Sequence, residues 1–157
     1  MNDLYIKKGL ETPLIDFKVD EGYLLFEGRA IPEDSISFFE PILILLDQYE
    51  KKPNLSLTVD FKLEYFNTSS AKFILKILLV LKKIDTGLCN VVINWYFDED
   101  DDDMFEVGQD YEHFVKIIIN MKRMSNDQSL TGVNVKGKLD IEDNFSPKSN
   151  NSSSNSS

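Results

Sequence analysis

Residues 55–85, LSLTVDFKLEYFNTSSAKFILKILLVLKKID, change their repeat halfway along. Leu55, Leu57, Val59, Phe61, Leu63 and Tyr65 alternate with Ser56, Thr58, Asp60, Lys62 and Glu64, the period of a strand with one buried face. After Thr68 the apolar positions Ala71, Ile74, Ile77, Leu78, Leu81 and Ile84 fall on one stripe of a 3.6-residue helix, which Phe73, Leu75, Leu79 and Val80 widen. The pattern predicts a strand over 55–66, then a helix from Thr68 to about Asp85 stopped by Gly87 in the C′ position. So broad an apolar face implies packing against a second helix, or a partner interface.

The junction, Asn67-Thr68-Ser69-Ser70, holds more polar side chains than a helix start needs. One Asn or Thr cap accepting a backbone N–H stabilises a helix by about 0.5–2 kcal/mol. Further hydroxyls are poor helix formers and poor core residues, so they suit an exposed site. A phosphate there would meet the positive end of the helix dipole, and Lys72, one turn after Thr68, could pair with it. From the residues alone, capping is the plainer reading and regulation the sharper one.

Upstream, PLIDFKV and YLLFEGRAI flank Asp20-Glu21-Gly22 and read as a β-hairpin closed by a glycine-containing turn. EDSISFFEPILILLDQYEKK starts with acids and ends with lysines, as a helix does, and Pro41 implies either a kink or a separate first turn. Downstream, Cys89–Phe97 is a third long strand, apolar enough to be covered on both faces. A helix follows from Met104 to about Phe114, and 115–119 fits either its continuation or a final strand. The fold class is therefore α/β: a single small domain with a mixed sheet begun by the N-terminal hairpin, right-handed βαβ crossovers, and helices packed on the sheet.

Several functions are disfavoured. The net charge of −10 is concentrated, because nine acids and no base lie between Asp98 and Glu112, leaving 17 bases against 18 acids elsewhere. Such a patch repels nucleic acid and anionic membrane and attracts a basic protein surface. Neither a signal-peptide segment nor a membrane span is legible, so a cytoplasmic location is expected without membrane insertion. Cys89 reads as a small core hydrophobe and His113 as a surface or packing residue. No nucleophile elbow, Walker loop or dinucleotide fingerprint is present. The run Asp98–Asp103 lacks EF-hand spacing and reads as a solvated loop feeding a helix, with a divalent-metal-dependent hydrolase as the competing possibility. A structural oligomerisation domain built on the helix after Thr68 is a third. No cofactor, metal or catalytic residue is expected.

Three blocks, EGRAIPEDSISFFEPI at 27–42, FKLEYFNTSSAKFILKIL at 61–78 and VINWYFDEDDDDMFEVGQDYE at 92–112, resemble the bacterial SiaC family of regulatory phosphoproteins. The resemblance implies a small α/β domain similar to anti-sigma-factor antagonists, phosphorylated by a cognate Ser/Thr kinase and dephosphorylated by a PP2C-type phosphatase. Thr68 matches the phosphorylated position. The unphosphorylated form would bind and activate an output protein, a diguanylate cyclase, and so raise cyclic-di-GMP and favour aggregation or biofilm. Candidate partner-binding residues are Asn67, Thr68, Ser69, Ser70 and Lys72, with Asp101, Asp102 and Asp103. The regulatory domain is expected over residues 1–124, with 125–157 a disordered Ser/Asn-rich tail.

Overall fold

The computed structural model describes residues 1–125. The segment read as a tail, apart from Ser125, lies outside the described residues. Six strands and three helices follow one another: β1 (Leu4–Ile6), β2 (Leu14–Lys18), β3 (Tyr23–Ala30), α1 (Ser35–Lys51), β4 (Ser56–Phe66), α2 (Thr68–Asp85), β5 (Asn90–Asp98), α3 (Asp102–Val115) and β6 (Ile119–Met124). They form one mixed sheet in the sequential order β1-β2-β3-β4-β5-β6. The first two pairings are antiparallel and the last three parallel. The hairpin turn uses Gly22 at φ +67°, where a Cβ would strike the Ser56 carbonyl.

Three parallel steps in the same direction, each right-handed, put every crossover helix on one side of the sheet. α2 accordingly lies between α1 and α3. The core is sealed between this helix layer and Ile15, Phe17, Leu24, Phe26, Leu57, Val59, Phe61, Ile93 and Trp95, none more than 1% exposed. This arrangement corrects the expectation for the third long strand. β5 alternates buried with half-buried side chains, and Val92 belongs to the face that carries no helix.

Two further corrections concern β4. Leu55 precedes the strand and is 80% exposed. Tyr65 also leaves the buried set, because the register with β3 slips: Gly28 pairs Leu63 but Arg29 pairs Tyr65. The extra residue, Glu64, reverses the alternation. Tyr65 then lies under the Arg29 guanidinium on the open face, and Phe66 turns inward to pack edge-on against Trp95.

Pro41 neither ends α1 nor splits off a turn. It occupies an exposed position within one helix capped by Asp34. Of the two alternatives for 115–119, the strand holds: Lys116 adopts the left-handed conformation (φ 63°, ψ 48°), closes α3, and lets β6 start at Ile119. Gly87 follows the α2 cap Thr86 but does not take positive φ. Cys89 is buried, as its apolar neighbours imply.

On the open face, Asp60 is 7% exposed yet fully used. Its carboxylate accepts from the Tyr23 hydroxyl at 2.7 Å and from Asn94 Nδ2 at 2.9 Å, and Asn94 in turn accepts from Asn120 at 3.2 Å. Burial, reinforced by Asp60, raises the Tyr23 phenol above its ordinary range.

Candidate functional site: the head of helix α2

All three helices begin at the carboxyl ends of strands, along one edge of the sheet. Each is capped by an Asx side chain, but the caps differ in charge. Asp34 accepts from Ser37 N at 3.1 Å and Ser37 Oγ at 2.7 Å at the head of α1, and the Ser37 hydroxyl and amide hold its carboxyl below the usual range. Asp101 accepts from Met104 N at 3.0 Å at the head of α3, where Asp102 and Asp103 add two acids in the first turn. Asn67 caps α2 neutrally, accepting from Ser70 N at 2.9 Å, and the first turn of α2 contains no acid. The positive end of α2 is thus the one left without a compensating carboxylate.

The three hydroxyls of the junction have separate fates. The Ser69 hydroxyl donates to Asn67 Oδ1 at 3.2 Å and lies 2.6 Å from Ser35 Oγ. Either hydroxyl can be the donor in the Ser35–Ser69 pair. This bridge joins the first turns of α1 and α2, and Phe39 stacks on Phe73 one turn further along, with ring centroids 5.3 Å apart. Ser70 is 0% exposed, and its Oγ has no hydrogen-bond partner among the described residues. Thr68, the first helical residue, is exposed and its hydroxyl makes no hydrogen bond among the described residues. A kinase or a partner could reach Thr68 without unfolding anything.

The other flank of the site is held by α3. The Tyr111 hydroxyl donates to the Ala71 carbonyl at 2.7 Å, and burial pushes the phenol up to about 12. Trp95, from β5, packs between Tyr111 (5.7 Å) and Phe66 (6.1 Å), and its Nε1 donates to Met104 O at 3.0 Å. Gly108 permits this approach, since a Cβ there would sit 2.7 Å from Trp95 Cδ1 and 2.8 Å from the Met121 methyl.

The structure therefore brings Asn67, Thr68, Ser69 and Lys72 together on one accessible helix end. Ser70 is corrected: sealed in the core, it cannot face a partner or an enzyme in the folded domain. Asp101, Asp102 and Asp103 sit at a different terminus, the head of α3, where Asp101 is engaged as a cap. Ser35 and Tyr111 were not among the sequence candidates, because no spacing links positions 35 and 111 to the junction. Among the described residues, no group of three His, Cys, Asp or Glu side chains is placed to hold a metal. Nor is any helix among them long and apolar enough to cross a membrane. The broad apolar surface of α2 packs on the sheet, α1 and α3, leaving only Leu79 of its large apolar residues exposed.

Six sequential strands under one layer of three helices, with an exposed threonine at the head of the middle helix, define a small mixed α/β domain. A sequence model of the SiaC family regulatory phosphoproteins matches residues 6–124, and the chain belongs to this family. An uncharacterised protein of Pseudomonas aeruginosa strain UCBPP-PA14 is 28% identical over 111 residues, which cover 71% of this chain and 88% of that protein. The crystal structure of apo-SiaC from P. aeruginosa superposes with a TM-score of 0.71 at 25% identity, over 78% of this chain and 99% of that one. SiaC in the crystal structure of the P. aeruginosa diguanylate cyclase SiaD in complex with its activator SiaC shares the fold, with a TM-score of 0.73 at 24% identity over 78% and 100% of the two chains.

Proposed function

We propose that this chain is a non-catalytic, phosphorylation-controlled partner switch whose regulatory domain is residues 1–124 and whose modified residue is Thr68. The observation that carries the reading is the sorting of the junction hydroxyls: Thr68 is exposed and unengaged, Ser69 is tied to Ser35 and Asn67, and Ser70 is buried. A phosphoryl group on Thr68 would occupy the one helix head that lacks a carboxylate, so the fold accommodates it. The same group adds about −1.5 to −2 charges to a surface that a partner must desolvate, which opposes docking. A Ser/Thr kinase and a PP2C-type phosphatase would set the phosphorylated fraction in the cytoplasm. Family membership and the description of P. aeruginosa SiaC as activator of SiaD support a diguanylate cyclase as the output partner of the unphosphorylated form, linking the switch to cyclic-di-GMP and biofilm.

The test is to phosphorylate the purified chain with a Ser/Thr kinase of its own cell, locate the phosphate by fragment mass spectrometry, and titrate both forms into the cognate cyclase by calorimetry. The phosphate should map to Thr68, Thr68→Ala should bind constitutively, and the phosphorylated chain should not bind. A phosphate on another residue, or equal affinity of the two forms, would overturn the reading.

A further inference from the structure

The exposed ridge of α2 starts at Thr68 and continues through Lys72, Lys76, Leu79 and Lys83. Spacings of four, four, three and four residues keep these side chains on one line along the helix, about 22 Å long at 1.5 Å per residue. α2 carries four lysines against the single acid Asp85. Its neighbours have the opposite sign: α1 carries Glu40, Asp47 and Glu50 against Lys51, and α3 has five acids and neither Lys nor Arg. The helix layer thus presents a basic central strip between two acidic borders. Within that strip Lys72 has no ion pair among the described residues, Lys76 lies over the Phe73 ring at 4.8 Å, and only Lys83 reaches an acid, Glu50 at 3.4 Å. Leu79, 44% exposed, interrupts the lysines with an apolar anchor.

We infer that this ridge is the docking surface controlled by Thr68, and that the partner lays an acidic amphipathic helix along it. The inference rests on the phosphoswitch reading above and specifies its partner chemistry. Acidic side chains of the partner would meet Lys72, Lys76 and Lys83, an apolar residue would cover Leu79, and the acidic borders would reject a helix laid across α1 or α3. Phosphorylated Thr68 stands one turn from Lys72. Its dianion neutralises that lysine and the helix head together, and opposes the first acidic residue of the partner. The electrostatic match is lost where it begins.

Two measurements test this. In the first, a synthetic Glu-rich amphipathic helical peptide is titrated into the isotope-labelled full chain and followed by amide chemical shifts. Saturable shifts centred on residues 68–83 are expected, weakened about tenfold or more in the Lys72→Gln/Lys76→Gln/Lys83→Gln variant and unchanged in a Lys18→Gln/Lys122→Gln control. Absence of saturation, shifts centred elsewhere, or equal effects of the two variants would overturn the ridge. In the second, the cognate cyclase is titrated with the Lys72→Glu/Lys76→Glu/Lys83→Glu variant, after circular dichroism shows it folded. Affinity should fall about a hundredfold, and wild-type affinity should fall with added salt. Wild-type binding by the variant would overturn the ridge even if phosphorylation still abolishes binding. Loss of binding in the variant, together with indifference to phosphorylation, would instead sink the phosphoswitch and leave the ridge standing. If no cyclase binds the wild-type chain, the output partner falls and the peptide titration decides the ridge alone.

Discussion

Phosphorylating Thr68 should make the domain more stable, even though the proposed switch has it oppose docking. The head of α2 carries a neutral cap and no first-turn acid, so its partial positive charge is uncompensated. A single negative charge at such a terminus contributes about 0.3–1 kcal/mol, and up to about 2 kcal/mol in favourable geometry. A phosphoryl of nearly two charges at the first helical position should therefore add about 0.5–2 kcal/mol. With an unfolding entropy of about 2.1 cal/mol/K per residue, a folded unit of about 120 residues converts this into a rise of about 2–8 °C in Tm. The assay is thermal melting of the stoichiometrically phosphorylated and dephosphorylated chains, each verified by intact mass, at low salt and at high salt. The increment should shrink at high salt, because an exposed charge is screened over about 10 Å at 0.1 M. A phosphorylated chain that melts lower at low salt would refute the reasoning, since it would mean that repulsion from surrounding carboxylates outweighs the α2 dipole.

Ser70→Ala should stabilise the domain by about 1 kcal/mol, because it deletes a buried hydroxyl without a hydrogen-bond partner among the described residues and improves helix propensity. A fall in the urea midpoint would show that the hydroxyl is satisfied after all. Gly108→Ala should act in the opposite direction: alanine is otherwise worth about 1 kcal/mol over glycine within a helix, but here its Cβ collides with Trp95 and Met121, and overpacking costs about 1–3 kcal/mol. Denaturant melts would give the net loss, and a shifted emission of Trp95, the chain's single tryptophan, would confirm where it arises. Tyr111 has its folded pKa raised from 10.0 to about 12, so its stabilising share is complete below pH 10 and is lost as pH rises towards 12. Tyr111→Phe should be less stable at pH 8 by about 0.5–1.5 kcal/mol through the lost bond to Ala71, yet lose less on going to pH 11.

The elements whose local signals agree with their tertiary setting were legible. The hairpin, β4 and α2 each combine a clean period with a turn or cap residue at the right place, and α2 occupies the predicted residues. What escaped depends on neighbours distant in the chain. β1 is three residues long and is defined by pairing Leu4–Ile6 with Ile15–Phe17, not by any pattern of its own. The displaced Tyr65 follows from a register slip against β3, invisible in β4 alone. Asp60 reads as a solvated alternate residue and turns out to be buried by Tyr23 and Asn94. At the site, the cluster was legible as a chemical oddity, but which hydroxyl faces water was not. That selection is made by Ser35, 34 residues upstream of Ser69, and by the core beneath Ser70.

The sequential strand order bears on how the chain is made. Every strand pairs with the one synthesised immediately before it, and none has to be wedged between two partners already joined. The sheet can be laid down from the amino end outward, each new helix closing over its strand as that strand leaves the ribosome, with short loops and little waiting for distant contacts. The head of α2 is complete only when α3 has closed over Ala71, so its geometry is set only after the chain has been made beyond Tyr111, well after Thr68 itself.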